Sequence, residues 1–185
     1  MNYLMLVNKN NRLITNFVPD CLCLVENRKK DKPDQVLMLE KQTLNQFLKM
    51  IKSAYQEKDF DIICDSAYRT AEYQQKLYDE QMLAGKDISY VAKPLESEHH
   101  TGLCVDVAAY INGEYHDEPE YLEKEYEWLH KNCANFGFIL RYPKGKENIT
   151  GYPYEPWHFR YVGVEHATII MNKRITLEEY LEDGR

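Results

Sequence analysis

"SEHHTGLCVDVAAYINGEYH", residues Ser97–His116, begins with two adjacent histidines and ends as a hairpin. Apolar residues flank Asn112-Gly113, the pair that tolerates positive φ in a type I′ turn. An antiparallel pairing is therefore expected immediately after the histidines. On the N-terminal side, "TAEYQQKLYDEQMLAG" reads as a helix with Thr70 as N-cap and Gly85 as stop. Before it, "FDIICDSAYR" reads as a buried strand ending at a polar site. Before that, "LEKQTLNQFLKMIKSAYQE" places Leu44, Phe47, Leu48, Ile51 and Tyr55 at helical spacing.

On the C-terminal side, "EPEYLEKEYEWLHKNCANFG" is a helix with Pro119 near its start and Gly137 as its stop. The strands "FILRYP" and "WHFRYVG" flank the polar loop "KGKENITGYPYEP". A short helix follows. A terminal helix is then opened by a capping box of Thr176 and Glu179. Strands and helices mix without a regular βαβ rhythm. The expected fold is α+β, one domain over residues 1–185, with helices packed around a largely antiparallel sheet. "ENRKKDKPDQ", 26–35, is expected to be a solvated loop.

Composition narrows the function. A chain of 185 residues with 44% hydrophobic and 29% charged residues has room for an ordinary core. A net charge of -7 argues against nucleic acid and gives no attraction to anionic membranes. No apolar run reaches the roughly 20 residues of a membrane span. The apolar stretch Tyr3–Val7 is too short for a signal peptide, which leads to the expectation of a cytoplasmic protein. The five cysteines are odd in number and contain no CxxC pair, so they read as reduced thiols. Fifteen tyrosines imply amphipathic packing surfaces or a polar-lined cleft.

Six histidines are candidate ligands. His116, His130 and His166 have no acidic or histidine partner at a recognisable spacing. His99 and Asp106 are joined by a segment in which Gly102 lets the chain reverse. Asp106 interrupts an apolar strand, and a carboxylate there needs a cation, strong hydrogen bonds or a metal. His158 could complete a set of two imidazoles and one carboxylate, which suits Zn²⁺ and leaves one position open. Glu155, three residues before His158, would then be the general base. Arg69, after an apolar strand, could hold a developing oxyanion, or it could pair with a carboxylate such as Asp65. Gln74 and Tyr73 could face the same cleft. Ser97 would share a face with His99 in an extended segment, or act as a cap. There is no GxSxG, no Gly-rich phosphate loop and no HExxH.

Together, "LVNKNNRL", "SAYRTAEYQ", "SEHHTGLCVD" and "FGFILRYPKGKENITGYPYEPWHFRYVG" resemble the VanY-type zinc D,D-carboxypeptidase family. The compact form resembles its VanXY-type branch of bifunctional D,D-dipeptidase/D,D-carboxypeptidases, associated with vancomycin resistance. The likeness runs from about Leu6 to about Glu179. It implies one Zn²⁺ per chain on His99, Asp106 and His158, in a cleft of the sheet. Glu155 is implied as the catalytic base, Arg69 as the residue that polarises the scissile carbonyl, and Ser97 and Gln74 as substrate contacts. The implied substrates are D-Ala-D-Ala, or peptidoglycan precursor pentapeptides ending in it. The loop 85–96 is implied to border the cleft. Cys104 departs from the alanine often found at that place in the family.

Three other readings stay in play. One is an L,D-carboxypeptidase or an L-Ala-D-Glu endopeptidase on the same fold. Another is a zinc-containing binding module without catalysis, which would have no need of Glu155. The last is a metal-free α+β domain. The sequence leaves a homodimer open.

Overall fold

The computed structural model describes residues 2–14, 17–32 and 34–183. Pro33, in the charge-rich loop, lies outside them. Seven strands and six α-helices are seen among the described residues: β1 (Leu22–Leu24), β2 (Met38–Glu40), α1 (Lys41–Lys58), β3 (Asp61–Ser66), α2 (Ala71–Leu83), β4 (Cys104–Ile111), β5 (Glu114–His116), α3 (Glu123–Asn132), β6 (Phe138–Leu140), α4 (Glu147–Thr150), β7 (His158–Tyr161), α5 (Val164–Lys173) and α6 (Leu177–Asp183). The main sheet runs β3-β4-β7-β6, with β5 folded back on β4, and every pairing in it is antiparallel. β1 and β2 form a separate antiparallel pair that the sequence did not announce.

Period-two alternation divides the sheet into two faces. Val105, Val107 and Ala109 of β4, with Phe159 and Tyr161 of β7, join the main core. α1 covers that core with Phe47, Met50 and Ala54, all fully buried. Leu48 and Tyr55 of α1 are exposed instead, because the covering stripe is set by Thr43, Phe47, Met50 and Ala54. The alternate residues Cys104, Asp106, His158 and Arg160 therefore belong to the other face, and all four are buried.

The local signals hold where they depend on neighbours in sequence. Asn112 and Gly113 both have positive φ, 52° and 85°, between β4 and β5. The Thr70 side chain accepts from the Tyr73 amide and caps α2. Thr176 and Glu179 exchange bonds of 2.7 and 3.2 Å at the start of α6. The third helix begins later than Pro119 suggested, at Glu123. It passes into a 3-10 turn, Cys133–Phe136, before Gly137 ends it at φ 82°. The loop before β7 contains the short α4.

Candidate active site

Strand register assembles the site. Asp106 and His158 are directly opposed across β4 and β7, so their side chains share a face. β3 pairs on the other side of β4 with an irregularity between Cys64 and Ser66, which brings Ser66 opposite Asp106. Such bulges re-aim side chains next to sites. His99 comes from a 3-10 turn, Glu98–Thr101, just before β4. Ser97 itself is extended, at φ -90° and ψ 132°, but His99 lies inside the turn, so strand alternation does not relate them. Ser97 is the N-cap of that turn, accepts from the His99 amide at 3.3 Å and stands on the cleft wall.

The Asp106 carboxylate meets both imidazoles. Its Oδ2 lies 3.1 Å from His99 Nε2, and its Oδ1 lies 2.9 Å from His158 Nδ1. Glu155 Oε2 is 3.7 Å from the same His158 nitrogen. The other ring nitrogen of His99, Nδ1, is 2.6 Å from the Ala67 carbonyl. A carbonyl can only accept, so Nδ1 keeps its proton, and Nε2 on the opposite edge, which donates to Asp106 here, is the nitrogen that a metal could take by displacing its proton. The sequence did not assign His100. Its Nδ1 donates to the Arg69 carbonyl at 2.7 Å and its Nε2 accepts from the Leu95 amide at 3.0 Å, so it is a structural residue.

Arg69 pairs with Asp106 at 2.9 Å, not with Asp65, which accepts from the Tyr115 hydroxyl. Its guanidinium also donates to Ser66 Oγ at 2.7 Å and to Gln74 Oε1 at 3.3 Å. Gln74 is buried, and its amide nitrogen donates to the Ala92 carbonyl at 2.8 Å. Both ends of Gln74 are thus engaged, one of them on Arg69, and Gln74 lines the cleft as expected. Tyr73 is half exposed and lies outside this cleft. The cleft walls include Tyr90, Tyr142, Tyr152 and Trp157, which sequence reasoning did not assign. The tyrosine-rich composition hinted at them without saying which. Tyr90, Val91 and Ala92 bring the loop 85–96 to the cleft edge, as expected.

The electrostatics follow from burial and close charge. Burial pushes the Glu155 carboxyl up to about 7; His158 pulls it back and Asp106 adds to the rise. Burial also opposes ionisation of Asp106, but the imidazoles facing it hold it well below the usual carboxylate range. Burial and the Arg69 charge work against a protonated His99, yet Asp106 outweighs them and carries it to about 9. These groups attract cationic charge strongly, and a metal competes for it with protons. Two inward imidazole nitrogens and a carboxylate are a donor set that suits Zn²⁺. The ligand atoms of His99, Cys104 and His158 also lie within 4.8 Å of one another, so a thiol stands beside the same centre.

The chain belongs to the VanY family of D-alanyl-D-alanine carboxypeptidases, which it matches over residues 36–164. It is therefore a member of a family of peptidase hydrolases. It is 36% identical over 188 residues to the bifunctional D-Ala-D-Ala dipeptidase and carboxypeptidase VanXYC of Enterococcus gallinarum, covering 97% of this chain and 94% of that one. Its fold is similar to that of the LD-carboxypeptidase LdcB, with a TM-score of 0.83 and 36% identity over 98% of this chain and 86% of that chain. It is also similar to a mutant of the vancomycin-resistance D,D-pentapeptidase VanY in complex with Zn(II), with a TM-score of 0.81, 33% identity, and coverage of 98% and 99%. Among the described residues no helix is long and apolar enough to cross a membrane.

Proposed function

We propose that the chain is a zinc D,D-peptidase that removes the C-terminal D-alanine from D-Ala-D-Ala and from peptidoglycan precursors ending in it. One Zn²⁺ per chain would be held by His99, Asp106 and His158. The observation that carries this reading is the single carboxylate of Asp106 within 3.1 Å of an inward nitrogen on each of two imidazoles, with Glu155 beside them. Asp106 is preferred to Cys104 as third ligand because its two oxygens already meet both nitrogens. The likeness to VanXYC supports the dipeptide and the precursor as substrates. Five free thiols suit a reducing compartment, which supports action on cytoplasmic precursors, and the likeness to the vancomycin-resistance D,D-pentapeptidase supports a role in vancomycin resistance.

A Zn²⁺ bound there would supply Lewis-acid polarisation and acidify a nearby water. Glu155 takes a proton from the attacking water at its carboxylate and returns it to the leaving amine of D-alanine. Arg69, held by Ser66 and Gln74, stabilises negative charge as it develops on the scissile carbonyl oxygen. Ser97 offers a hydroxyl on the cleft wall for the peptide terminus. Tyr142 and Trp157 wall off bulk water.

The LdcB likeness favours one second reading, an L,D-carboxypeptidase. Three substrates separate the two: D-Ala-D-Ala, a precursor pentapeptide ending in D-Ala-D-Ala, and a tetrapeptide ending in L-Lys-D-Ala. Release of D-alanine from the first two is expected. Release from the tetrapeptide alone would replace the D,D reading with the L,D one.

A further inference from the structure

Two buried atoms without hydrogen-bond partners face each other at the site. They are Glu98 Oε2 and His158 Nε2, 3.7 Å apart. Glu98 is held by two fully buried arginines, and both use its other oxygen. Arg141 Nε donates to Oε1 at 2.8 Å, and Arg160 Nη1 donates to Oε1 at 2.7 Å. A carboxylate present only to neutralise two arginines would spread them over both oxygens, since bidentate use is the stronger arrangement. Here one oxygen is kept free and aimed at a histidine edge.

The opposite edge of that histidine, Nδ1, is the one that faces Asp106 and Glu155. An imidazole that ligates through Nδ1 while neutral carries its proton on Nε2. A buried N–H without an acceptor is costly. We propose that Glu98 is a positioning residue for His158: its Oε2 accepts the Nε2 proton and so fixes the tautomer that presents Nδ1 to the metal. Arg141 and Arg160 clamp Glu98 in place. A hydrogen bond there would need the 3.7 Å separation to close once a metal replaces the Asp106 contact at Nδ1. His99 is oriented by the same logic through a different acceptor, the Ala67 carbonyl. The two imidazoles thus ligate through different nitrogens, each fixed from its far edge. Outer partners of this kind orient ligands and tune metal affinity.

This inference rests on the zinc reading, and the test separates the two. Histidine-ring ¹⁵N–¹H spectra are recorded on the full chain with one equivalent of Zn²⁺. The expected His158 signal has a metal-shifted Nδ1 and a slowly exchanging proton on Nε2. Failure of Zn²⁺ to bind at all would overturn the zinc reading and the inference with it. Zinc bound through His158 Nε2, or a proton retained on Nδ1, would overturn this inference alone. In Glu98→Gln, chelator competition is expected to show zinc affinity about 10–100-fold weaker, with a broadened Nε2 proton signal. Unchanged affinity and an unchanged His158 spectrum would overturn the proposal. Should Glu98→Gln fail to fold, the wild-type spectrum decides alone.

Discussion

Glu155 is held neutral by its surroundings up to about pH 7 in the metal-free protein, and this has a thermodynamic sign. Its folded pKa lies above the unfolded value of about 4.3, so the folded state keeps a proton that the unfolded chain releases. Its contribution is most favourable below about pH 4 and is lost as pH rises through the folded value. Glu155→Gln removes that penalty. Urea denaturation in EDTA is expected to show little gain near pH 4, rising to the order of 3 kcal/mol at pH 8. The same variant is expected to lose D-alanine release by at least about 100-fold while still binding zinc. A destabilised variant at pH 8, or one with near-normal turnover, would remove Glu155 from the role of buried base. Arg69→Ala is expected to lower kcat more than it raises KM, because its contact belongs to the transition state. A change confined to KM, read from initial rates, would make it a binding residue.

At the scale of elements, the turn before β4 decides where His99 sits. Gly102 closes it at φ 68°, and a Cβ there would lie 2.9 Å from Leu22 Cδ2 and 3.3 Å from the Glu40 amide nitrogen. Gly102→Ala is expected to cost about 1–3 kcal/mol and to weaken zinc binding, measured by denaturation and by chelator competition. Gly85 also has positive φ, 63°, but nothing within 4 Å. Gly85→Ala is expected to cost about 1 kcal/mol and leave zinc affinity unchanged. The contrast explains what sequence could reveal. The Asn112-Gly113 turn, the Thr70 cap and the Thr176/Glu179 box involve residues at most three apart, and their chemistry specifies them locally. Asp106 stood out because a carboxylate is costly in an apolar strand, and His99, His158 and Glu155 stood out by the clusters and spacings they form. The irregularity at Cys64/Ser66, the β1–β2 pair and the engagement of Gln74 depend on register between distant strands and loops. Glu98 lay inside the quoted motif, yet its partners, Arg141 and Arg160, are far along the chain. The exposed Leu48 and Tyr55 show the same limit, since helical spacing does not say which stripe the sheet will cover.

At the scale of the whole molecule, the buried charge network ties both ends of the chain to the site. Arg141 makes a double bond pair with Glu178 of α6, at 2.8 and 2.7 Å. Asn8 donates to Glu178 at 3.0 Å, and Arg160 donates to the carbonyls of Tyr3 and Met5 at 3.1 and 2.7 Å. Glu178→Ala leaves a buried guanidinium short of its partner and is expected to cost about 3–5 kcal/mol in chemical denaturation. Glu182→Ala, on the exposed side of the same helix, is expected to stay within about 0.5 kcal/mol. The fold thus holds a cation-seeking centre rigidly from behind while leaving a cleft in front of it. The most direct test is to strip the protein with EDTA and titrate Zn²⁺ back while following D-alanine release from D-Ala-D-Ala and from a precursor pentapeptide. Release should rise with added zinc and saturate at one ion per chain, and Asp106→Ala should neither bind zinc nor recover activity. Full release from the stripped protein, or stoichiometric zinc and turnover in Asp106→Ala, would contradict the account.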